Sequence, residues 1–135
     1  IHGLAHALGG LYGTPHGLAN SVIMPYFLKA YGGSAEKKLA KLARLIHEAA
    51  PADPDGLAAA RFIAWVEEMN RKMDIPRYIE GIDPTDFSFM AARADKESNP
   101  LYPVPKLMDK AVLEHMYYVV CGLEEQARAE RGNEV

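Results

Sequence analysis

Three of the chain's five histidines, His2, His6 and His16, lie in the opening stretch IHGLAHALGGLYGTPHGLAN. Neutral imidazole nitrogens bind borderline metal ions well, and an imidazole that titrates near neutral pH can also move protons. His2 and His6 are four residues apart, which on a helix puts them on one face, one turn removed. Helix-borne pairs of this kind hold zinc in known enzyme classes. His16 follows the bend YGTP, where Gly13 and Pro15 end one helix and start another. A ligand at the N-terminal end of that second helix can converge on the first from the side. Two pairings are open: His2 with His6, or His2 with His16. Either supplies two nitrogens, whereas a catalytic zinc site normally has three protein ligands and an open position. The stretch holds no Asp, Glu or Cys, and the first carboxylate in the chain is Glu36, so further ligands must come from elsewhere. Ala5, Ala7, Gly9 and Gly10 are all small, which leaves room for another backbone or a ligand near the imidazoles. A His-x-x-x-His pair is weak evidence alone, and scattered surface histidines are the plain alternative. His47 and His115, each single within a helical pattern, are read as solvated or hydrogen-bonded.

The elements that must position these residues are helices. HGLANSVIMPYFLKAY carries Leu18, Val22, Phe27 and Tyr31 on one face and ends at Gly32-Gly33. Pro25 removes a backbone donor and is expected to kink or interrupt that helix. Ser34 then reads as an N-cap for AEKKLAKLARLIHEAA. In that segment Leu39, Leu42, Leu45 and Ile46 form the expected apolar stripe, with Lys37, Lys38, Lys41 and Arg44 facing water. PADPDG breaks the chain, and Ala59, Phe62, Ile63, Val66, Met69 and Met73 follow at helical spacing up to Pro76. In the proline-rich middle, PTDFSFMAARAD is the best helix, with Pro84 in its first turn. Met108, Val112, Met116, Val119, Val120 and Leu123 mark the last strong pattern, and the polar tail EEQARAERGNEV is expected to fray. No run alternates with period two over a strand's length. The reading is an all-helical bundle, one domain over residues 1–135, with the methionine and aromatic stripes as its core.

Composition narrows the function classes. The chain is 49% hydrophobic and 24% charged with a formal net charge of −3, as in ordinary globular proteins. Without a Lys/Arg-rich tract there is no electrostatic reason to expect a nucleic-acid partner. The longest apolar runs, such as SVIMPYFL, are too short to cross a bilayer, and no segment resembles a signal peptide. Cys121 is the only cysteine, so neither an internal disulfide nor a cysteine-based zinc cage can form; it reads as a small buried hydrophobe near a helix end. A reducing, cytoplasmic setting is the default.

HGLAHALGGLYGTPHGLANSVIMPY resembles the histidine signature of the iron-containing, group III alcohol dehydrogenases. That signature runs His-x-x-x-His, Gly, Pro-His-Gly, then an apolar stretch ending in proline; His2, His6, Gly9, Pro15, His16, Gly17 and Pro25 fall on it. IDPTDFSFMAARAD and NPLYPVP resemble later segments of the family more loosely, so the resemblance runs over essentially the whole chain. Leu101 stands where many members have Arg after Asn-Pro, and that arginine has no counterpart here.

The resemblance implies the helical C-terminal domain of a dehydroquinate synthase-like, iron-containing alcohol dehydrogenase fold. It also implies an N-terminal NAD(P)-binding α/β domain outside this chain. The family's divalent metal, Fe(II) or sometimes Zn(II), is held by one Asp and three His; two of these fall on His2 and His16, and the others are implied upstream. His6 matches a histidine that lines the cleft near substrate and nicotinamide, where it could shuttle a proton. The glycines of HALGGLYG have neither the spacing nor the preceding strand of a dinucleotide loop. The implied activity is hydride transfer between small alcohols and aldehydes or ketones. Alternatives are a relative of glycerol dehydrogenase or maleylacetate reductase type, and a non-catalytic helical module. The chain by itself is expected to be inactive. It is also expected to self-associate through the exposed face around His2, Gly9, Gly10 and His16, with its first helix frayed or covered by a neighbour.

Overall fold

Helical periodicity punctuated by glycine and proline becomes seven α-helices and one 3₁₀ turn in the computed structural model, which describes residues 1–99 and 101–132. They are α1 (His2–Tyr12), α2 (His16–Tyr31), α3 (Gly33–Leu45), α4 (Asp55–Lys72), the 3₁₀ turn Pro84–Asp86, α5 (Phe87–Ser98), α6 (Lys110–Val120) and α7 (Glu124–Gly132). No strand occurs among the described residues, as the sequence leads one to expect.

The core lies between α1, α2, α5 and α6. Leu4, Leu8, Val22, Ile23, Phe87, Met90, Tyr117 and Val120 are its most deeply buried large side chains. Each buried Leu, Ile, Val, Phe or Met contributes about 1.5–3 kcal/mol relative to exposure. Tyr117 adds a polar anchor: its ring stacks on Phe87 with centroids 5.7 Å apart, and its hydroxyl donates to the Leu4 carbonyl at 3.2 Å. Burial pushes the Tyr117 phenol far above its ordinary pKa, so it remains a donor. The first helix is thus docked through Leu4, Ala5 and Leu8, and Ile1 extends it by accepting from the Leu4 and Ala5 amides. It is held by the core rather than frayed.

Gly13 ends α1 in the left-handed conformation (φ 68°), its amide donating to the Gly9 carbonyl. Pro15, at φ −57° and ψ 130°, then launches α2 with His16 as its first residue. Of the expected kink or interruption, no interruption occurs: α2 runs on through Pro25, which is buried. Pro25 cannot donate to the Ser21 carbonyl one turn back, and the side-chain amide of Asn70 in α4 takes the missing donor's place at 2.7 Å.

Helices α3 and α4 pair with each other, and four alanines, Ala40, Ala43, Ala49 and Ala58, form a small second core. Here the structure corrects three expectations. Ser34 is not the N-cap of α3 but lies inside its first turn; Gly32, at φ 52°, precedes the helix and no side chain caps it. The helix stops at Leu45, and His47 takes a left-handed φ of 62°. The buried face is Ala35, Leu39, Ala40 and Ala43, while Leu42, Leu45 and Ile46 are exposed, Leu45 at 64%. Small residues let α4 approach closely, so the alanine side is buried and the leucine side is left out. Arg44 is half-buried, donating to the Asp53 carbonyl at 2.6 Å and to Asp55 Oδ1 at 2.8 Å. Leu18, Met73 and Val112 are likewise more exposed than their stripes suggest.

Pro84 begins the 3₁₀ turn, as foreseen, with Asp83 capping it by accepting from the Thr85 amide at 2.9 Å. Asp109 caps α6 through the Val112 amide at 3.0 Å. The tail expected to fray forms α7, with Ala127 buried; residues 133–135 lie outside the described residues. Cys121 lies at the end of α6, partly buried, and burial pushes its thiol up to about 12.

Candidate active site

Because α1 and α2 meet at the Gly13–Pro15 bend, the three N-terminal histidines come together. Ring centroids are 5.3 Å apart for His2 and His16, 5.1 Å for His6 and His16, and 6.0 Å for His2 and His6. All three residues are exposed, so the cluster forms part of the surface. Two imidazoles that share one tetrahedral ion at about 2.1 Å have centroids roughly 5 Å apart. The His2–His16 separation meets that distance with ring planes inclined at 56°. His6 is instead stacked on His16 at 22°, and stacked rings carry their in-plane lone pairs side by side rather than toward one point. The donor set here is incomplete: among the described residues no group of three or more His, Cys, Asp or Glu is arranged to hold a metal ion. Within the cluster, His2 and His16 are the pair whose spacing and inclination suit a shared ion.

Each flanking histidine has a polar neighbour. The Asn20 amide, one turn into α2, donates to His16 Nε2 at 2.9 Å and to the His16 carbonyl at 3.0 Å. The Asn20 Oδ1 is buried without a hydrogen-bond partner. His6 Nδ1 lies 2.5 Å from Glu97 Oε1 on α5, and the Tyr102 hydroxyl donates to the same oxygen at 2.7 Å. Burial alone would raise the Glu97 pKa, but the hydrogen bonds from Tyr102 and His6 outweigh it and hold the carboxyl below its usual range.

Beside His6 an open groove of about 570 Å³ runs between α1 and α5, lined among others by Gly10, Leu11, Phe89, Arg93 and Glu97. Gly10 leaves that space open, since an added Cβ would meet nothing within 4 Å. Ala5 and Ala7 are buried where α1 packs on its neighbours, so of the two expected reasons for their size it is the approach of another element that applies. Sequence reasoning also missed Gly3, Glu97 and Tyr102. At Gly3 an added Cβ would stand 2.1 Å from Ser98 Oγ and 3.3 Å from the Ala94 carbonyl, so glycine lets α1 lie against α5. That crossing brings Glu97 to His6 across 91 residues of chain, which no local pattern could signal. Tyr12 secures the far end of α1, donating to Asp86 Oδ2 at 2.5 Å and accepting from the Asp83 amide at 3.0 Å.

The described residues form an all-helical fold that gathers three imidazoles, with His6 on an open groove. The C-terminal profile of the Fe-containing alcohol dehydrogenase family matches residues 1–119, and the chain belongs to that family. It is 34% identical over 101 residues to a 1,3-propanediol dehydrogenase of Klebsiella pneumoniae, covering 73% of this chain and 26% of that protein. Alcohol dehydrogenase 4 of Saccharomyces cerevisiae (strain ATCC 204508 / S288c) is 36% identical over 98 residues, covering 70% of this chain and 24% of the yeast protein. The crystal structure of a 1,3-propanediol oxidoreductase superposes with a TM-score of 0.80 at 30% identity, covering 88% of this chain and 31% of that one. The chain thus spans less than a third of the length of these relatives. No helix among the described residues is long and apolar enough to cross a membrane.

Proposed function

We propose that this chain is the helical C-terminal part of a metal-dependent, NAD(P)-linked alcohol dehydrogenase that interconverts small alcohols with aldehydes or ketones. The observation that carries the reading is the convergence of His2, His6 and His16 from two helices, with His6 at the edge of an open groove. In this reading His2 and His16 are two ligands of a divalent metal, Fe(II) or Zn(II), whose remaining ligands lie outside residues 1–135. When bound, such an ion polarises the substrate oxygen and stabilises charge that develops on it. His6 would take up or return the substrate's hydroxyl proton, and a bound nicotinamide would supply the hydride acceptor or donor. With Nδ1 turned to Glu97, Nε2 of His6 is the nitrogen free for that task.

The dinucleotide is bound mainly by an N-terminal domain outside the chain. Leu11 and Phe89, both exposed on the groove, would be covered by that domain or by a second copy of this chain. A cytoplasmic setting completes the reading, in keeping with the single free thiol of Cys121.

Titration calorimetry of the chain with Zn(II) and Fe(II) tests the ligand assignment. Binding weaker than micromolar is expected, lost in His2→Ala and in His16→Ala and kept in His6→Ala. Loss in His6→Ala with retention in His16→Ala would restore the His2/His6 pair. In an NAD(P)-linked alcohol assay with added metal, the chain by itself is expected to show no turnover. Metal-dependent turnover would mean that its ligand set is complete.

A further inference from the structure

We propose that Glu97, supported by Tyr102, is a positioning residue that orients His6 and fixes its proton on Nδ1, leaving Nε2 to face the reacting hydroxyl. The inference rests on the reading of His6 as the proton-handling group and goes beyond it.

Geometry carries the argument. Glu97 Oε1 lies 2.5 Å from His6 Nδ1 and accepts the Tyr102 hydroxyl at 2.7 Å. An ionised carboxylate can only accept, so the nitrogen facing it must bear the hydrogen. The tautomer of a histidine is set by the hydrogen bond its other nitrogen makes, and a carboxylate on Nδ1 leaves Nε2 as the basic lone pair. Tyr102 restrains the carboxylate in turn, so its oxygen is held from a second side. Glu97 also lines the groove beside His6, on the opposite wall from Gly10 and Leu11.

A purely structural role explains the contact less well. The pair is open to solvent, with the His6 side chain 43% and the Glu97 side chain 33% exposed, and surface ion pairs add little to stability. The α1–α5 crossing already rests on Leu4, Ala5, Leu8, Ala91 and Ala94, all buried. Losing Glu97 should therefore leave the fold intact and change the histidine.

The test combines a spectroscopic and a kinetic arm. ¹⁵N NMR of this chain labelled at histidine should show neutral His6 with its proton on Nδ1. Glu97→Ala should move the proton predominantly to Nε2, and Glu97→Gln, whose amide oxygen still accepts, should restore the original form. In the full-length dehydrogenase Glu97→Ala should lower kcat by roughly ten- to a hundredfold, by analogy with the range for partners that orient metal-bound histidines, with KM changed less than about twofold. Glu97→Gln should recover most of that loss. An unchanged His6 tautomer in Glu97→Ala, or an undiminished kcat, would overturn the proposal. An active His6→Ala enzyme would instead overturn the catalytic reading of His6, and the tautomer measurement keeps the two failures apart.

Discussion

The side-chain amide of Asn70 donates at 2.7 Å to the backbone carbonyl of Ser21, the acceptor that Pro25 leaves without its helical partner. Helix α2 can therefore carry a proline and stay continuous, because α4 supplies the donor that the chain itself cannot. A carbonyl stranded in a partly buried position costs about 1–3 kcal/mol. Asn70→Ala should destabilise by that amount in urea unfolding. In a Pro25→Ala background residue 25 regains its amide, and the same substitution should cost under about 1 kcal/mol. Equal costs in both backgrounds would show that Asn70 acts through packing instead.

Gly3 is the close point between α1 and α5. Alanine is the better helix former by about 1 kcal/mol, but its Cβ would meet Ser98 Oγ at 2.1 Å and the Ala94 backbone oxygen at 3.3 Å. Overpacking of this kind typically costs about 1–3 kcal/mol, so Gly3→Ala should lower stability by about 1 kcal/mol net. Adding Ser98→Ala removes the closest clash and should bring the double variant back near the parent, as read from thermal or urea midpoints.

Asp83 gives stability a defined pH dependence. Its carboxylate accepts from the Thr85 amide at 2.9 Å and the Thr85 hydroxyl at 2.8 Å, and these bonds, the backbone one foremost, hold its pKa below the ordinary value. A carboxylate with a lowered folded-state pKa binds protons more readily when unfolded. Its contribution is complete above about pH 4, the unfolded value, and is lost as pH falls through the lower folded one. Unfolding midpoints measured down that acid range should fall less steeply in Asp83→Asn than in the parent. Superimposable profiles would remove Asp83 from the account.

Cys121 should be inert in the folded chain. Burial at the end of α6 pushes its thiol up to about 12, so the reactive thiolate is scarce at neutral pH. A colorimetric thiol reagent at pH 7.5 is expected to react slowly with the native protein and promptly with one equivalent in denaturant. Fast native reaction would contradict this burial.

What the sequence determined by itself is what depends on neighbours along the chain. Helical spacing, glycine stops and the Gly13–Pro15 bend act over a few residues, so the all-helical class, the α1–α2 break and the His2, His6, His16 cluster were legible. The Pro84 start before α5 was legible for the same reason.

Tertiary structure decided everything that depends on which face meets which. Periodicity shows that a helix has an apolar stripe, but not whether leucines or alanines will be covered. In α3 the alanine face won because α4 could come close to it, leaving Leu42 and Leu45 in water. Pro25 reads as a break until a donor from α4 is placed beside Ser21, and Gly3 reads as an arbitrary small residue until α5 lies against it. Glu97 meets His6 only through that same crossing, which spans 91 positions. Local propensities act within a turn or two, whereas a hydrogen bond of 2.5 Å between distant helices exists only once the packed core has set their separation.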